Sequence, residues 1–195
     1  MDSFIHKIGL LLLFSVLIAD ESFNTELVAH FPYEEGVNDC WGYTSTDGRE
    51  FAIVGTNSGT SIVEVTQGSI FEIGFITGGE SIWRDMKSWG NYIYSGTENN
   101  SGGIQVISME NPDNPELVYT WDGALSSHNI MIEDGYLYVI GASEVAYIII
   151  LSLEDPAHPE QIGIWNEEYL HDICFDGDIL YGCGIQTTYG GGFDD

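Results

Sequence analysis

Polar residue pairs recur along the chain at intervals of 43 or 44 residues, each at the head of a short β-rich segment. The pairs are Arg84-Asp85, His128-Asn129 and His171-Asp172. Imidazoles and carboxylates are common transition-metal ligands, and a guanidinium binds carboxylates and other anions. We therefore treat these six residues as a candidate site for a divalent cation or another small ligand, with Arg84 as an anion clamp.

Two other roles for the pairs stay open. Buried polar groups must be hydrogen-bonded, so the pairs could instead bond to each other and to loop backbone and hold neighbouring repeats together. Catalysis has the weakest signal, because the sequence has no Gly-x-Ser-x-Gly elbow, no phosphate-binding loop and no His-Glu-x-x-His motif. Trp41 and Trp83 are interpreted as structural aromatic residues of the first strands.

A repeat of about 43 residues must position these pairs. Each pair is followed by an aromatic or apolar segment that ends in glycine, such as Tyr92-Ile-Tyr-Ser-Gly96, and then by a third apolar segment. Proline-rich segments come next, and the two clearest copies begin at Glu110 and Glu154, 44 residues apart. Four β-rich segments at such a period predict a propeller blade. The predicted fold is an all-β propeller with inner strands near residues 41–46, 84–88, 128–133 and 171–175.

The repeat count predicts an incomplete propeller. Thr25-Glu-Leu-Val28 resembles Pro115-Glu-Leu-Val118, which enters the fourth strand of a repeat, so we expect an N-terminal outer strand. Three full blades and two strands of a fourth follow, about three and a half blades in all, whereas closed rings need about four to eight. We interpret the chain as the N-terminal fragment of a longer propeller, and a naturally short open form is the alternative.

The first residues are typical of an export signal. Lys7 precedes an unbroken apolar run from Ile8 to Ala19, and charge returns at Asp20. Such a run is short for a membrane span but suits the core of a signal peptide. We expect residues 1–19 to be a signal peptide cleaved after Ala19, with a retained N-terminal anchor as the lesser alternative. Residues 20–195 would form the partial propeller, and no other segment is expected to cross a membrane.

The charge of the chain restricts its partners. There are 31 acidic residues against four basic ones, which gives a formal net charge of −27. A surface of this kind repels phosphate backbones and anionic lipid headgroups, so nucleic acid is excluded as a partner. The carboxylates either form a solvated surface or, in part, collect cations.

Cysteine usage fits export only weakly, because the chain has three cysteines, an odd number. Cys174 and Cys183 flank a predicted turn and would lie on neighbouring strands. A disulfide between them needs a bulge or a shift, since a simple register places Cys174 opposite Leu180. A disulfide and free structural thiols therefore both remain open.

Several short motifs, in order, resemble the choice-of-anchor B family over residues 33 to 184. They are Asn38-Asp-Cys-Trp-Gly-Tyr43, Ser81-Ile-Trp-Arg-Asp-Met-Lys87, Gly103-Ile-Gln-Val106, Ser127-His-Asn129, Gly135-Tyr-Leu-Tyr-Val139 and His171-Asp172. The segments from the third strand to the prolines are similar to LVIVD repeats. The resemblance implies an exported, propeller-like protein whose parent is attached to a cell surface through a C-terminal segment. This chain departs from the family by lacking a cysteine near Ala142-Ser143, and we expect the anchor of the parent protein to lie beyond Asp195.

Two classes of function follow. The first is a non-enzymatic, secreted or surface-displayed scaffold that binds an unidentified extracellular ligand or partner. The second is a secreted, metal-assisted enzyme whose site lies at the mouth of the propeller channel. A binding role needs side chains that converge on one point with spare donor or acceptor capacity. Two imidazoles and two carboxylates around a common centre would resemble a transition-metal site.

Overall fold

Antiparallel strands form the regular structure of the chain. The computed structural model describes residues 25–66, 70–100, 102–142 and 147–184, together with the backbone of residues 186–188 and 192–194. These residues contain no α-helix, and none of their segments is a helix long and apolar enough to cross a bilayer. The predicted signal peptide, residues 1–19, lies outside the described residues.

Three four-stranded sheets follow one another along the chain, each with its strands in sequence order. The first consists of β1 (Val37–Thr44), β2 (Glu50–Thr56), β3 (Gly59–Glu64) and β4 (Phe71–Thr77). The second consists of β5 (Arg84–Trp89), β6 (Tyr92–Thr97), β7 (Ile104–Ser108) and β8 (Glu116–Trp121). The third consists of β9 (Asn129–Glu133), β10 (Tyr136–Ile140), β11 (Ile148–Ser152) and β12 (Glu160–Trp165).

Two hairpins complete the described structure. The strands β13 (Asp172–Asp176) and β14 (Ile179–Cys183) form one two-stranded sheet, and β15 (Gln186–Thr188) and β16 (Gly192–Asp194) form another. The hairpin of β13 and β14 repeats the first two strands of each preceding sheet. The predicted period and the predicted first strands are therefore confirmed, with a shift of one residue in the later strands and an earlier start for β1.

The first hairpin of each four-stranded sheet, and the hairpin of β13 and β14, turn at a glycine. Gly48, Gly90, Gly135 and Gly177 all have positive φ, between 57° and 85°. Residues other than glycine are strained in this conformation, so the glycines allow the tight turns between the first and second strands. The repeat of turn glycines is one reason that the four hairpins have the same shape.

The core lies between neighbouring sheets rather than inside any one of them. Between the first two sheets, Ile53 and Ile62 pack against Met86 and Ile93, and all four are fully buried. Similar clusters join the second sheet to the third and the third sheet to the hairpin of β13 and β14. Because the second and third sheets each bury apolar residues on both faces, the sheets stack side by side. Their first strands, β1, β5, β9 and β13, then become neighbours in that order.

The predicted N-terminal outer strand is not present. Residues 25–33 form no strand, and Leu27 and Val28 are 80% and 75% exposed. A strand exists only with a hydrogen-bonded neighbour, and no described strand pairs with this segment. The likeness of residues 25–28 to a fourth strand therefore has no structural counterpart in the described part of the chain.

Candidate functional site

A groove with a volume of about 530 Å³ lies along the neighbouring first strands. Four of the six predicted site residues line this groove: Asp85, Asn129, His171 and Asp172. Asp39 and Lys87 also line it and were missed by the sequence analysis. A signal for Lys87 was available, because residues two apart on a strand share one face, and Lys87 follows Asp85 by two.

Asp85 is the most buried acidic group of the groove, with 5% of its surface exposed. Its Oδ2 accepts the backbone N–H of Ile130 at 2.8 Å, and its Oδ1 lies 2.5 Å from the Lys87 Nζ. Burial first, and then a hydrogen bond with the Asp39 side chain, raise the pKa of Asp85 to about 6 against the opposing effects of Lys87 and the Ile130 N–H. Asp85 therefore exchanges its proton near neutral pH and links the strands β1, β5 and β9.

His171, Asp172 and Asn129 form the other side of the groove. The Asn129 side chain donates a hydrogen bond from Nδ2 to the His171 backbone carbonyl at 3.3 Å. One carboxylate oxygen of Asp172 accepts the N–H of Ile173 at 2.8 Å. Asp172 is exposed and His171 is half-buried, so a solute in the groove can reach both side chains.

His128 lies behind the groove and packs against two aromatic rings. Its ring stacks on Trp83 with centroids 4.9 Å apart and touches His171 with centroids 4.0 Å apart. Its Nδ1 lies 2.6 Å from the Glu98 carboxylate, and its Nε2 is buried without a hydrogen-bond partner. The two predicted imidazoles therefore meet, but only His171 faces the groove.

No metal-binding cluster appears in the part of the chain that the structure describes. There, no three or more His, Cys, Asp or Glu side chains are placed together so that they could hold an ion. The predicted ligands are divided, since His128 bonds to Glu98 and Asp85 bonds to Lys87. The arrangement suits a polar organic ligand better than a transition-metal ion, which needs several ligands converging on one point.

Arg84 does not reach the groove, contrary to its predicted role as an anion clamp. It is 1% exposed, and its guanidinium donates hydrogen bonds to the backbone carbonyls of Thr56 and Gly79 at 3.2 Å and 2.7 Å. Successive strand residues point to opposite sides, and the Arg84 side chain points away from the groove that Asp85 lines. Arg84 instead joins the first sheet to the second, and burial lowers its pKa.

A side chain donates a hydrogen bond to a backbone carbonyl of the next unit at each junction between units. Asn38 bonds to the carbonyl of Ile82 at 2.9 Å, and the Trp83 indole bonds to that of His128 at 2.5 Å. Asn129 bonds in the same way to His171. Holding neighbouring repeats together is the structural role that the sequence left open for the polar pairs. Asn129 has this role, and so does Trp83, which was interpreted as a structural residue.

Trp41, the other predicted structural aromatic residue, is 36% exposed, and its indole donates a hydrogen bond to the Ser88 hydroxyl at 2.9 Å.

The cysteines are free thiols in the structure, and all three are exposed. Cys174 pairs with Tyr181, and Cys183 pairs with Asp172, so the expected pairing of Cys174 with Leu180 is wrong. The two thiols are therefore diagonal neighbours on one face. Diagonal residues lie about 7–8 Å apart, and disulfides do not bridge Cα atoms more than about 7 Å apart.

Comparison with known proteins gives information on the fold. No protein-family model matches the chain, and no curated protein matches it. Among solved structures, it is similar to a candidate 6-phosphogluconolactonase from Bacteroides fragilis, with a TM-score of 0.54 and 18% sequence identity. The similarity covers 66% of this chain and 38% of that protein, so the chain spans well under half the length of the structure it matches.

The similarity and the sheet arrangement agree on one class of fold. Stacked four-stranded antiparallel sheets with neighbouring first strands form an all-β, β-propeller-like structure. At 18% identity, the solved structure carries information on the fold and none on the activity of this chain. The function must be argued from the groove itself.

Proposed function

We propose that this chain is the N-terminal part of an exported propeller protein and that its groove binds a small polar ligand without catalysis. The supporting observation is the convergence of Asp39, Asp85, His171 and Asp172 on one cavity of about 530 Å³. Ligand sites typically have volumes of about 300–1,000 Å³ and a few convergent polar groups among apolar ones. Ile130 and Met131 supply apolar lining here.

Binding fits the groove better than metal-assisted catalysis does. Asp85 is held by Lys87 and by a backbone N–H, so it positions the groove wall, while His171 and Asp172 are accessible. The enzyme alternative has one specific observation in its favour, which is the raised pKa of Asp85. Its metal-assisted form has less support, because the described residues provide no three-ligand cluster.

Export and surface display are part of the proposal. They are supported by the apolar run that ends at Ala19 and by the resemblance to the choice-of-anchor B family, whose members carry varied C-terminal anchors. Mass spectrometry of the protein recovered from a culture supernatant tests this part. A mature N-terminus at Asp20 supports export with cleavage, and recovery only from the cytosol would refute it.

Ligand-observed NMR on the full chain tests the binding function. The probe is a set of small polar organic compounds, and the comparison is between the wild type and the double variant His171→Ala with Asp172→Asn. We expect at least one compound to bind the wild type and to lose about tenfold or more in affinity in the variant, a loss of about 1.4 kcal/mol. Asp176→Asn is the matched control, because Asp176 lies on the same strand, is exposed and does not line the groove.

Two results would oppose a binding role for the groove. One is the absence of any binder from the set, and the other is binding that the double variant retains in full. A parallel titration with zinc chloride tests the alternative, since a 1:1 complex lost with His171 would favour a metal-assisted site.

A further inference from the structure

A second cavity, with a volume of about 420 Å³, lies between the segment before β1 and the outer strand β4. Aromatic and acidic side chains dominate its lining: Phe31, Tyr33, Glu34, Glu35, Glu72 and Phe75. Its lining shares no residue with the groove of the first strands. Whatever binds here therefore does not depend on the function proposed above.

The three rings provide the apolar walls of this cavity. Phe31 and Tyr33 meet edge to face, with centroids 5.1 Å apart and planes 60° apart. The Phe75 ring lies against Gly59, close enough that a Cβ there would come within 2.8 Å of it, and Phe75 is 39% exposed. The face of an aromatic ring carries partial negative charge and attracts cations.

Hydrogen bonds fix the polar part of the cavity. The Tyr33 hydroxyl donates to the Ser61 hydroxyl at 3.0 Å, and Ser61 donates to the Glu72 carboxylate at 2.6 Å. Ser61 is fully buried, so this chain of bonds holds the Tyr33 ring and the Glu72 carboxylate in place. A preorganised site loses less entropy on binding.

The charge of the cavity is negative. The hydroxyl and the backbone N–H of Ser58 bond to Glu35 at 2.8 Å and 3.0 Å, and the hydroxyl bond is the main reason that the pKa of Glu35 lies below its ordinary value. Arg84 offsets part of this charge from inside the protein, while Glu34 and Glu72 are exposed. The described residues that line the cavity include no basic side chain.

We propose that this cavity binds an alkylated ammonium ion, such as a quaternary ammonium solute. Methyl groups around a positive nitrogen bury against Phe31, Tyr33 and Phe75, while the charge meets the ring faces and the carboxylates. A hard metal ion would gain nothing from aromatic walls, because it requires oxygen ligands on all sides. An anion would be repelled, and the net charge of −27 concentrates cations around the whole chain.

Isothermal titration calorimetry on the full chain with choline chloride tests the proposal. The neutral isostere 3,3-dimethylbutan-1-ol has the same shape without the charge, so we expect it to bind about tenfold more weakly than choline. Phosphocholine should also bind more weakly, since its phosphate would approach Glu34 and Glu72. Equal affinity for choline and the neutral isostere, or no choline binding at all, would overturn the proposal.

Variants then assign the binding to this cavity. Phe75→Leu keeps an apolar side chain but removes the ring, and we expect choline affinity to fall about threefold to fivefold. Phe71→Leu is the matched control, because Phe71 lies on the same strand, is 48% exposed and does not line the cavity. Glu72→Gln provides a second variant with an altered charge, and circular dichroism confirms that each variant is folded. A Phe75→Leu or Glu72→Gln protein that binds choline like the wild type would refute the assignment.

One further measurement separates a free solute from a lipid headgroup, which carries the same ammonium chemistry. We expect the protein to stay in the supernatant when vesicles of phosphatidylcholine are sedimented, because the lipid phosphates are repelled by the acidic surface. Sedimentation with the vesicles would overturn the assignment to a free solute. Variants of His171 and Asp172 should leave choline binding unchanged, so failure of this inference and failure of the groove's proposed function can be told apart.

Discussion

The substitution Asp85→Asn isolates the energetic effect of a buried carboxyl group in the groove. The pKa of Asp85 is raised from 3.8 to about 6, first by burial and then by its hydrogen bond with Asp39. A raised pKa means that the folded state prefers the protonated acid, so the contribution to stability is complete below pH 3.8 and is lost as the pH rises through 6. At about 1.4 kcal/mol per pKa unit, the loss is about 3 kcal/mol.

Urea unfolding of wild type and variant between about pH 4 and about pH 7.5 measures this loss. Asparagine does not titrate and keeps an oxygen for the Ile130 N–H. The free energy of unfolding of the variant should therefore rise relative to wild type by about 2.5 kcal/mol across this range, because the unfolded-state carboxyl is already more than half ionised at about pH 4. Lowered pKa values elsewhere, such as that of Glu64 beside Arg49, affect both proteins equally and cancel in the difference.

A control variant separates the effect of the Asp85 pKa from the effect of a change in net charge. Asp178→Asn removes one charge from an exposed turn and controls for the change in net charge. The ion pair with Lys87 forms only with the ionised carboxyl, so its effect is already contained in the pKa of Asp85 and adds no separate pH dependence. A difference between variant and wild type that stays constant within about 1 kcal/mol over the pH range would refute the raised pKa.

Three other outcomes can be measured on the full chain. Arg84→Ala should lower the free energy of unfolding by about 2 kcal/mol or more, because it removes the guanidinium donors from the buried Thr56 carbonyl and the part-buried Gly79 carbonyl. A loss below about 0.5 kcal/mol would contradict the structural role. Gly103→Ala should cost about 2 kcal/mol or more, since its Cβ would meet the Trp121 carbonyl at 2.4 Å. Gly90 also has a positive φ but has open space around it, so Gly90→Ala should lower the free energy of unfolding by only about 1 kcal/mol. Equal losses for the two glycine substitutions would refute the clash between a Cβ at position 103 and the Trp121 carbonyl. Cys174 and Cys183 should both react with Ellman's reagent in the folded protein, and two unreactive thiols would instead reveal a disulfide.

The period and the strand order could be predicted because they depend on local sequence. Turn glycines such as Gly90 and Gly135 recur with the apolar strands that follow them, and each copy folds into the same hairpin. The position of the core could be predicted only in part. Alternation shows that Tyr94 and Ile93 point to opposite sides, but only the stacking of the sheets shows that both sides are buried.

The candidate site could be predicted less well, because it depends on side-chain direction and on non-local partners. Placing both members of the pair Arg84-Asp85 in one site contradicted strand alternation, a rule that the sequence alone could have supplied. Asp39 could not be found in this way, since the register shift between Val37 and Cys40 alters which face it occupies. The second cavity was also beyond prediction, because residues 31–35 reach β4 only through the tertiary fold.

Strand alternation also explains how one short segment can support a scaffold and a site together. On β5, Arg84 and Met86 point into the interface with the first sheet, where both are buried, while Asp85 and Lys87 point into the groove. The bonds that join the units end on backbone carbonyls, which every residue carries, so they restrict the donor side chains Asn38 and Asn129 but not the identity of the residues that accept. Ligand affinity should therefore depend most on His171 and Asp172, whose side chains are accessible, and stability most on Arg84 and Asp85, whose hydrogen bonds hold neighbouring strands together.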